Sequence, residues 1–195
     1  MVPDDGDHLV TDDDWADIWA NLSPGWRRVL HHSDTDTPPP AGPIVRRRRL
    51  TTDYWCAWTF EPIRYLPALT QALLWDENGM DLGPLTGRSW QLLQLAGPAN
   101  IELDQLAGTT VTQLNLAVVD VADMSPIRDI TGLKSLTLAY GTFGPLPPLD
   151  NLTDLTIHTQ VDIDLTAVQR NPGLRITRTE TDYFPPFGPD DVAAR

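Results

Sequence analysis

Apolar residues between Ile130 and Leu138 fall at Ile130, Leu133, Leu136 and Leu138, at spacings of three, three and two. A helix keeps a rhythm of three or four and a strand keeps a rhythm of two, so the change predicts a short loop that feeds directly into a strand. The same Leu-x-x-Leu-x-Leu pattern recurs along the chain. Upstream it is carried by Leu69, Ala72 and Leu74, by Trp90, Leu93 and Leu95, and by Val111, Leu114 and Leu116. Downstream it returns at Leu152, Leu155 and Ile157, and more weakly at Leu174 and Ile176, where Asn171 takes the first apolar place. The middle positions are 72, 93, 114, 136, 155 and 174, in steps of 21, 21, 22, 19 and 19. A period held this closely predicts a repeat.

A second pattern marks the return leg of each unit. Apolar pairs three apart stand at Phe60 and Ile63, Leu82 and Leu85, Leu103 and Leu106, Met124 and Ile127, Leu146 and Leu149, and Leu165 and Val168. Pro62, Pro84, Pro126 and Pro148 precede the second member of four pairs, where a fixed φ suits a 3₁₀ turn better than a long helix. Each unit therefore predicts a short strand, a turn and a compact leg. One unit of about 20 residues cannot bury its own leucines, whereas stacked neighbours share one interior. The predicted fold is an α/β solenoid, a curved array of about six units of 19–22 residues with short parallel strands.

These units resemble the leucine-rich repeat family, and "VADMSPIRDITGLKSLTLAYG" is similar to its SDS22 or internalin type with the "x-D-I-x-P-L" element. The resemblance covers about residues 55 to 180. The family places an asparagine three positions after the last strand leucine; here those positions hold Glu77, Pro98, Val119, Gly141, Gln160 and Thr179. The departure implies less regular turns and a likeness to the degenerate arrays of bacterial NACHT-type STAND proteins. What the resemblance implies is a non-enzymatic module that binds a protein or peptide on its concave sheet.

The N-terminal part has a different rhythm. "TDDDWADIWANL" offers Thr11 as N-cap, Asp12 to Asp14 at the positive helix end, and Trp15, Ile18, Trp19 and Leu22 on one face. "SPGWRRVLHH" restarts the pattern with Trp26, Val29 and Leu30 before prolines interrupt it. One reading makes these helices a cap over the first repeat; the other makes them a docking element with Trp15 and Trp19 as anchors. The chain thus divides into an acidic helical cap or arm (1–36), a Pro/Arg linker (37–50), the repeat array (51–180) and an irregular tail (181–195). The aromatic run "YWCAWTF" is expected to form the first, capping strand, with Cys56 a buried structural thiol.

Charge and composition narrow the partners. With 27 acidic against 14 basic residues and a net charge of -13, the protein as a whole repels phosphate backbones and anionic lipid. The run Arg46 to Arg49 is the exception, and nine aspartates between Asp4 and Asp36 can neutralise it locally. One cysteine, an acidic beginning and no stretch near the roughly 20 apolar residues of a bilayer span lead to the expectation of a cytoplasmic protein bound neither to nucleic acid nor to membrane.

Candidate catalytic groups do not converge. "HHSDTD" lacks a partner cluster at metal-ligand spacing, "DENGMD" has its glycine at the fourth place of a would-be calcium loop, and Lys134 stands outside any Gly-Lys-Ser/Thr loop. No cofactor or metal is expected, and the chain is read as non-enzymatic. Binding is expected from strand residues that point away from the core. The central ladder reads Leu73, Gln94, Asn115, Thr137, Thr156 and Arg175. The next reads Trp75, Ala96, Ala117, Ala139, His158 and Thr177, followed by Asp76, Gly97, Val118, Tyr140, Thr159 and Arg178. The expected partner-binding set is Trp75, Asp76, Gln94, Asn115, Thr137, Tyr140, Thr156, His158, Arg175 and Arg178. A regulatory, immunity-like inhibitor acting through the acidic arm is the alternative reading.

Overall fold

Periodic leucines need neighbours on both sides, and a parallel stack supplies them. The computed structural model describes residues 10–31, 36–52, 59–75, 79, 81–98 and 100–180. Cys56, Asp76 and most of the "HHSDTD" and "DENGMD" segments lie outside the described residues.

Seven strands form one parallel sheet in spatial order β1 (Arg49–Thr51), β2 (Gln71–Trp75), β3 (Ser89–Ala96), β4 (Thr110–Ala117), β6 (Ser135–Ala139), β8 (Asp154–His158) and β9 (Arg175–Thr179). The short β5 (Asp120–Val121) and β7 (Thr142–Phe143) pair with each other in a second sheet. In the main sheet Ala72, Leu93, Leu114, Leu136 and Leu155 align across the strands, as do Leu74, Leu95, Leu116, Leu138 and Ile157. Both rows enter one continuous core with the apolar residues of the return legs. Each fully buried leucine contributes about 1.5–3 kcal/mol relative to exposure, which a single unit could not secure alone.

The return legs are 3₁₀ turns at Glu61–Tyr65, Gly83–Leu85, Leu103–Leu106, Ser125–Asp129 and Val168–Arg170. Pro62, Pro84 and Pro126 stand in their second positions, within the first turn, where no N–H is missed. Three aspartates start these legs. The N–H groups of Gly83, Ser125 and Thr166 donate to Asp81, Asp123 and Asp164 at 2.8, 2.8 and 2.9 Å. Hydrogen bonds from Ser125 and Thr166 hold the Asp123 and Asp164 carboxyls below the ordinary aspartate value.

Where an asparagine ladder is missing, backbone pairing takes over. Asp120 aligns with Thr142 and Val121 with Phe143, Asn100 bridges to Asp120, and the Thr142 N–H donates to Asp120 Oδ1 at 3.0 Å. The turns of adjacent units approach so closely that a Cβ on Gly141 would meet the Val119 carbonyl oxygen at 2.0 Å, and one on Gly144 the Ala122 oxygen at 2.2 Å. Just after the strands, Val118 and Tyr140 hold φ of 63° and 53°. That is a left-handed conformation which a β-branched valine adopts only under tertiary constraint.

The last strand departs from the expected register. Ile176, not Leu174, aligns with Leu155, so the final step is 21 residues and not 19. Thr177 consequently takes the ladder place next to Thr156 that was expected for Arg175. Arg175 aligns with Asp154, and Arg178 with Ile157 on the core side.

The N-terminal helices α1 (Asp12–Asn21) and α2 (Pro24–His31) turn their apolar residues into the core that the repeats share. Thr11 and Asp14 form a reciprocal capping box at the start of α1. Trp15, Trp19, Trp26 and Leu30 are buried in the same core as the repeats, so Trp15 and Trp19 are not available as partner anchors. The Trp26 Nε1–H donates to Thr59 O at 2.8 Å, and the buried Arg27 donates to Trp19 O and Ala20 O at 3.2 and 3.0 Å. Residues 37–50, read from sequence as a linker, include the short helix α3 (Ala41–Val45), with Ile44 buried, and lead into β1. Leu50 stands 22 residues before Ala72 and aligns with it, which extends the repeat period by one unit; most of "YWCAWTF", expected as the capping strand, lies outside the described residues. Arg47 belongs to this join, donating to Val29 O at 3.2 Å.

Candidate recognition face

Alternation along each strand puts every second residue on the side opposite the core. From β2 to β8 that outward side carries the ladder Leu73, Gln94, Asn115, Thr137 and Thr156 in the register the period predicts, continued on β9 by Thr177. Next to it run Trp75, Ala96, Ala117 and Ala139, which form a second, smaller apolar cluster with Val118 and Tyr140. The face is therefore two-sided in chemistry: polar in its centre and apolar at the strand ends.

Exposure along this face follows a gradient. Gln94 is 1% exposed, Asn115 5% and Thr137 9%, whereas Thr156 is half-buried and Thr177 exposed. Trp75 and His158 are also buried, at 7% and 3%. Of the residues expected to meet a partner, Trp75, Gln94, Asn115, Thr137 and His158 thus lie covered, Tyr140 and Thr156 are half-buried, and Arg175 and Arg178 are exposed. The accessible part of this ladder is its C-terminal end, while in the outward row beside it Gln113 is exposed and Leu92 and Ser135 are half-buried.

Tyr140 and His158 from adjacent units stack with ring centroids 4.1 Å apart at 39°. The Gln160 N–H donates to His158 Nδ1 at 3.4 Å. Arg175 Nε donates to Asp154 Oδ1 at 2.8 Å, and its Nη2 reaches the same oxygen. Hydrogen bonds from Thr153 and from Arg175 hold the Asp154 carboxyl below its ordinary value. Asp154, Ser135, Gln113 and Thr177 belong to the outward rows but not to the expected set. The signal for Thr177 was the 21-residue step from Leu155 to Ile176, which matches the earlier steps of the array. Among the described residues no group of three or more His, Cys, Asp or Glu side chains is placed to hold a metal ion, and no helix is long and apolar enough to cross a membrane.

No family model matches the chain, and no curated protein matches it. Among solved structures it is similar to internalin C2 from Listeria monocytogenes, with a TM-score of 0.50 and 18% identity over 86% of this chain and 90% of that one. At that identity the likeness concerns the fold: short parallel strands stacked into a curved solenoid.

Proposed function

We propose that this leucine-rich-repeat protein, internalin-like in fold, is a non-enzymatic recognition module that holds a protein or peptide against the C-terminal half of its outward sheet face. The fold itself suggests a module for protein–protein interaction. The observation that carries the finer reading is the exposure gradient. The central ladder is closed from Gln94 to Thr137 and opens at Thr156 and Thr177, beside the exposed Arg175, with Tyr140 and His158 stacked at its border. A rigid parallel sheet holds these groups without the ordering cost of a loop, and aromatic and arginine anchors supply most interface energy when buried by a partner. We read the setting as the bacterial cytoplasm, in a NACHT-associated sensor context. Its support is the degenerate repeat and the single cysteine.

The test is affinity capture from native cells with three chains: unaltered, Thr156→Glu with Arg175→Glu, and the return-leg control Arg128→Ala. A protein recovered with the first and third and lost with the second, while circular dichroism is unchanged, supports this face. Equal recovery with all three would overturn it. The inhibitor reading rests on exposed Asp12 and Asp13 at the start of α1. It predicts instead that Asp12→Asn with Asp13→Asn loses the partner.

A further inference from the structure

The two ends of the array finish differently. Leu50 on β1 and Ile176 on β9 stand at opposite ends of the inward row that runs through Leu93 and Leu136. Leu50, in one core with Trp15, Trp19 and Trp26, is 2% exposed, whereas Ile176 is 38% exposed. Arg175, Thr177 and Arg178 are exposed as well, and β9 is the last strand of the sheet, with no described strand beyond it. Backbone pairing tells which groups face the open side. The Arg175 N–H donates to Thr153 O, and the Thr159 N–H donates to Thr179 O, both at 2.9 Å. In a parallel ladder one residue turns its N–H and C=O to one neighbour and the next residue turns them to the other. Arg175, Thr177 and Thr179 therefore serve β8, while Ile176 and Arg178 direct their N–H and C=O groups to the open edge.

We infer that β9 is a docking edge to which an extended, acidic segment of another protein adds as a further strand. A row of exposed backbone donors and acceptors is a template for strand addition. Charge selects what adds. Among the described residues Arg178 has no ion-pair partner, and the Arg175 side chain stays 78% exposed beside Asp154. Alternation puts Arg175 with Thr177 on the outward side and Arg178 with Ile176 on the inward side. A fitting strand therefore carries a carboxylate beside each arginine and an apolar residue beside Ile176, since cross-strand neighbours of opposite charge or shared apolar character stabilise a pair. Glu180, exposed just past the strand, marks the limit of the basic edge. The net charge of -13 is spread over the whole chain, and charges farther away than about 8–10 Å are screened, so the two arginines govern this edge. A second copy of this chain does not suit it. Pairing β9 with β9 would bring the arginines of both copies into one short ladder, where like charges repel. The surface is the edge of the sheet and is separate from the outward face proposed above.

The test uses the full chain and a synthetic peptide with glutamates where the added strand meets Arg175 and Arg178 and a valine where it meets Ile176. A second peptide carries lysines in place of the glutamates. Affinity is read by calorimetry and amide hydrogen exchange by NMR. In the free chain the Ile176 and Arg178 amides should exchange faster than that of Thr177, and saturating glutamate peptide should slow them about tenfold or more while the lysine peptide leaves them unchanged. Arg178→Glu, which keeps every backbone donor, should weaken the glutamate peptide about tenfold and admit the lysine peptide. Ile176→Pro, which removes an edge donor and no bond to β8, should abolish binding with circular dichroism unchanged. No saturable binding, equal affinity for both peptides, or protection confined to other residues would each overturn the inference. So would Ile176 and Arg178 amides already protected in the free chain, whether by a second copy or by the chain itself. Failure here leaves the Thr156 and Arg175 capture result untouched, and failure of that capture leaves the edge protection standing.

Discussion

Gly141 is the position where the stacking of two units is most sharply constrained, and alanine there provides a quantitative test of the fold. A Cβ would lie 2.0 Å from Val119 O and 3.0 Å from both Val119 C and Phe143 Cζ, where real Cβ contacts under 3.0 Å essentially never occur. Relief requires the turn of one unit to move about an ångström from its neighbour. That movement strains the β5–β7 pairing, the Gly144 N–H to Val121 O bond at 2.8 Å and the Thr142 N–H to Asp120 Oδ1 bond at 3.0 Å. Overpacking costs about 1–3 kcal/mol and each lost bond about 1 kcal/mol, so Gly141→Ala should destabilise by about 3 kcal/mol. For a domain of this size that corresponds to a fall in Tm of roughly 6–12 °C. Two further glycines calibrate the series. Gly108, with φ of 75° and open space around it, should cost only about 1–2 kcal/mol as alanine, for its left-handed backbone. Gly42, inside α3 with nothing within 4 Å apart from its chain neighbours, should cost less than about 1 kcal/mol as alanine, the entropy gained being offset by crowding of the new Cβ against Pro43. Urea unfolding followed by circular dichroism gives the three values. A Gly141→Ala chain within about 0.5 kcal/mol of the unaltered protein, or an order other than Gly42, Gly108, Gly141, would refute the close-approach argument.

Trp19→Ala should destabilise by about 3–5 kcal/mol, since the indole is fully buried in the shared core; an unchanged urea midpoint would mean that the N-terminal helices are not a cap. Asn171 Nδ2 donates to Leu149 O, Asp150 O and Leu152 O at 3.1, 3.3 and 2.9 Å, so Asn171→Ala should lose about 2 kcal/mol. Asn171→Asp, which turns a carboxylate toward three carbonyls, should lose more, and thermal unfolding of the two variants ranks them. The Asp14, Asp123, Asp154 and Asp164 carboxyls all titrate below the ordinary aspartate value when folded, first through hydrogen bonds from Thr11, Ser125, Thr153 and Thr166. The unfolded chain therefore takes up their protons first as pH falls. Their stabilisation is complete above the ordinary value and is lost as pH drops through the folded ones. Tm measured from about pH 5 to pH 2 should fall less steeply for Asp123→Asn with Asp164→Asn than for the unaltered chain, and parallel curves would contradict the assignment.

Much of this architecture is local and was legible as such. The strand residues of β2 to β8, the two rows that enter the core and the proline-started 3₁₀ legs follow from spacings within one unit, because buried positions on a strand and a tight turn recur at short range. Only the tertiary structure decided three things. Sequence alternation settles which face a strand residue takes but not its register to within two residues, since a slip of two leaves every side chain on its own side. Alternation therefore left Leu174 and Ile176 equivalent, the 21-residue period alone favoured Ile176, and the pairing of Ile176 with Leu155 and of Arg175 with Asp154 came from neighbouring strands. Leu50, isolated among arginines, became a strand only because Ala72 lies beside it. The burial of Gln94, Asn115 and His158 arises only in the assembled chain, and no spacing of leucines records it. The repeat period determines where side chains point. Whether water or another segment meets them is a property of the assembled chain.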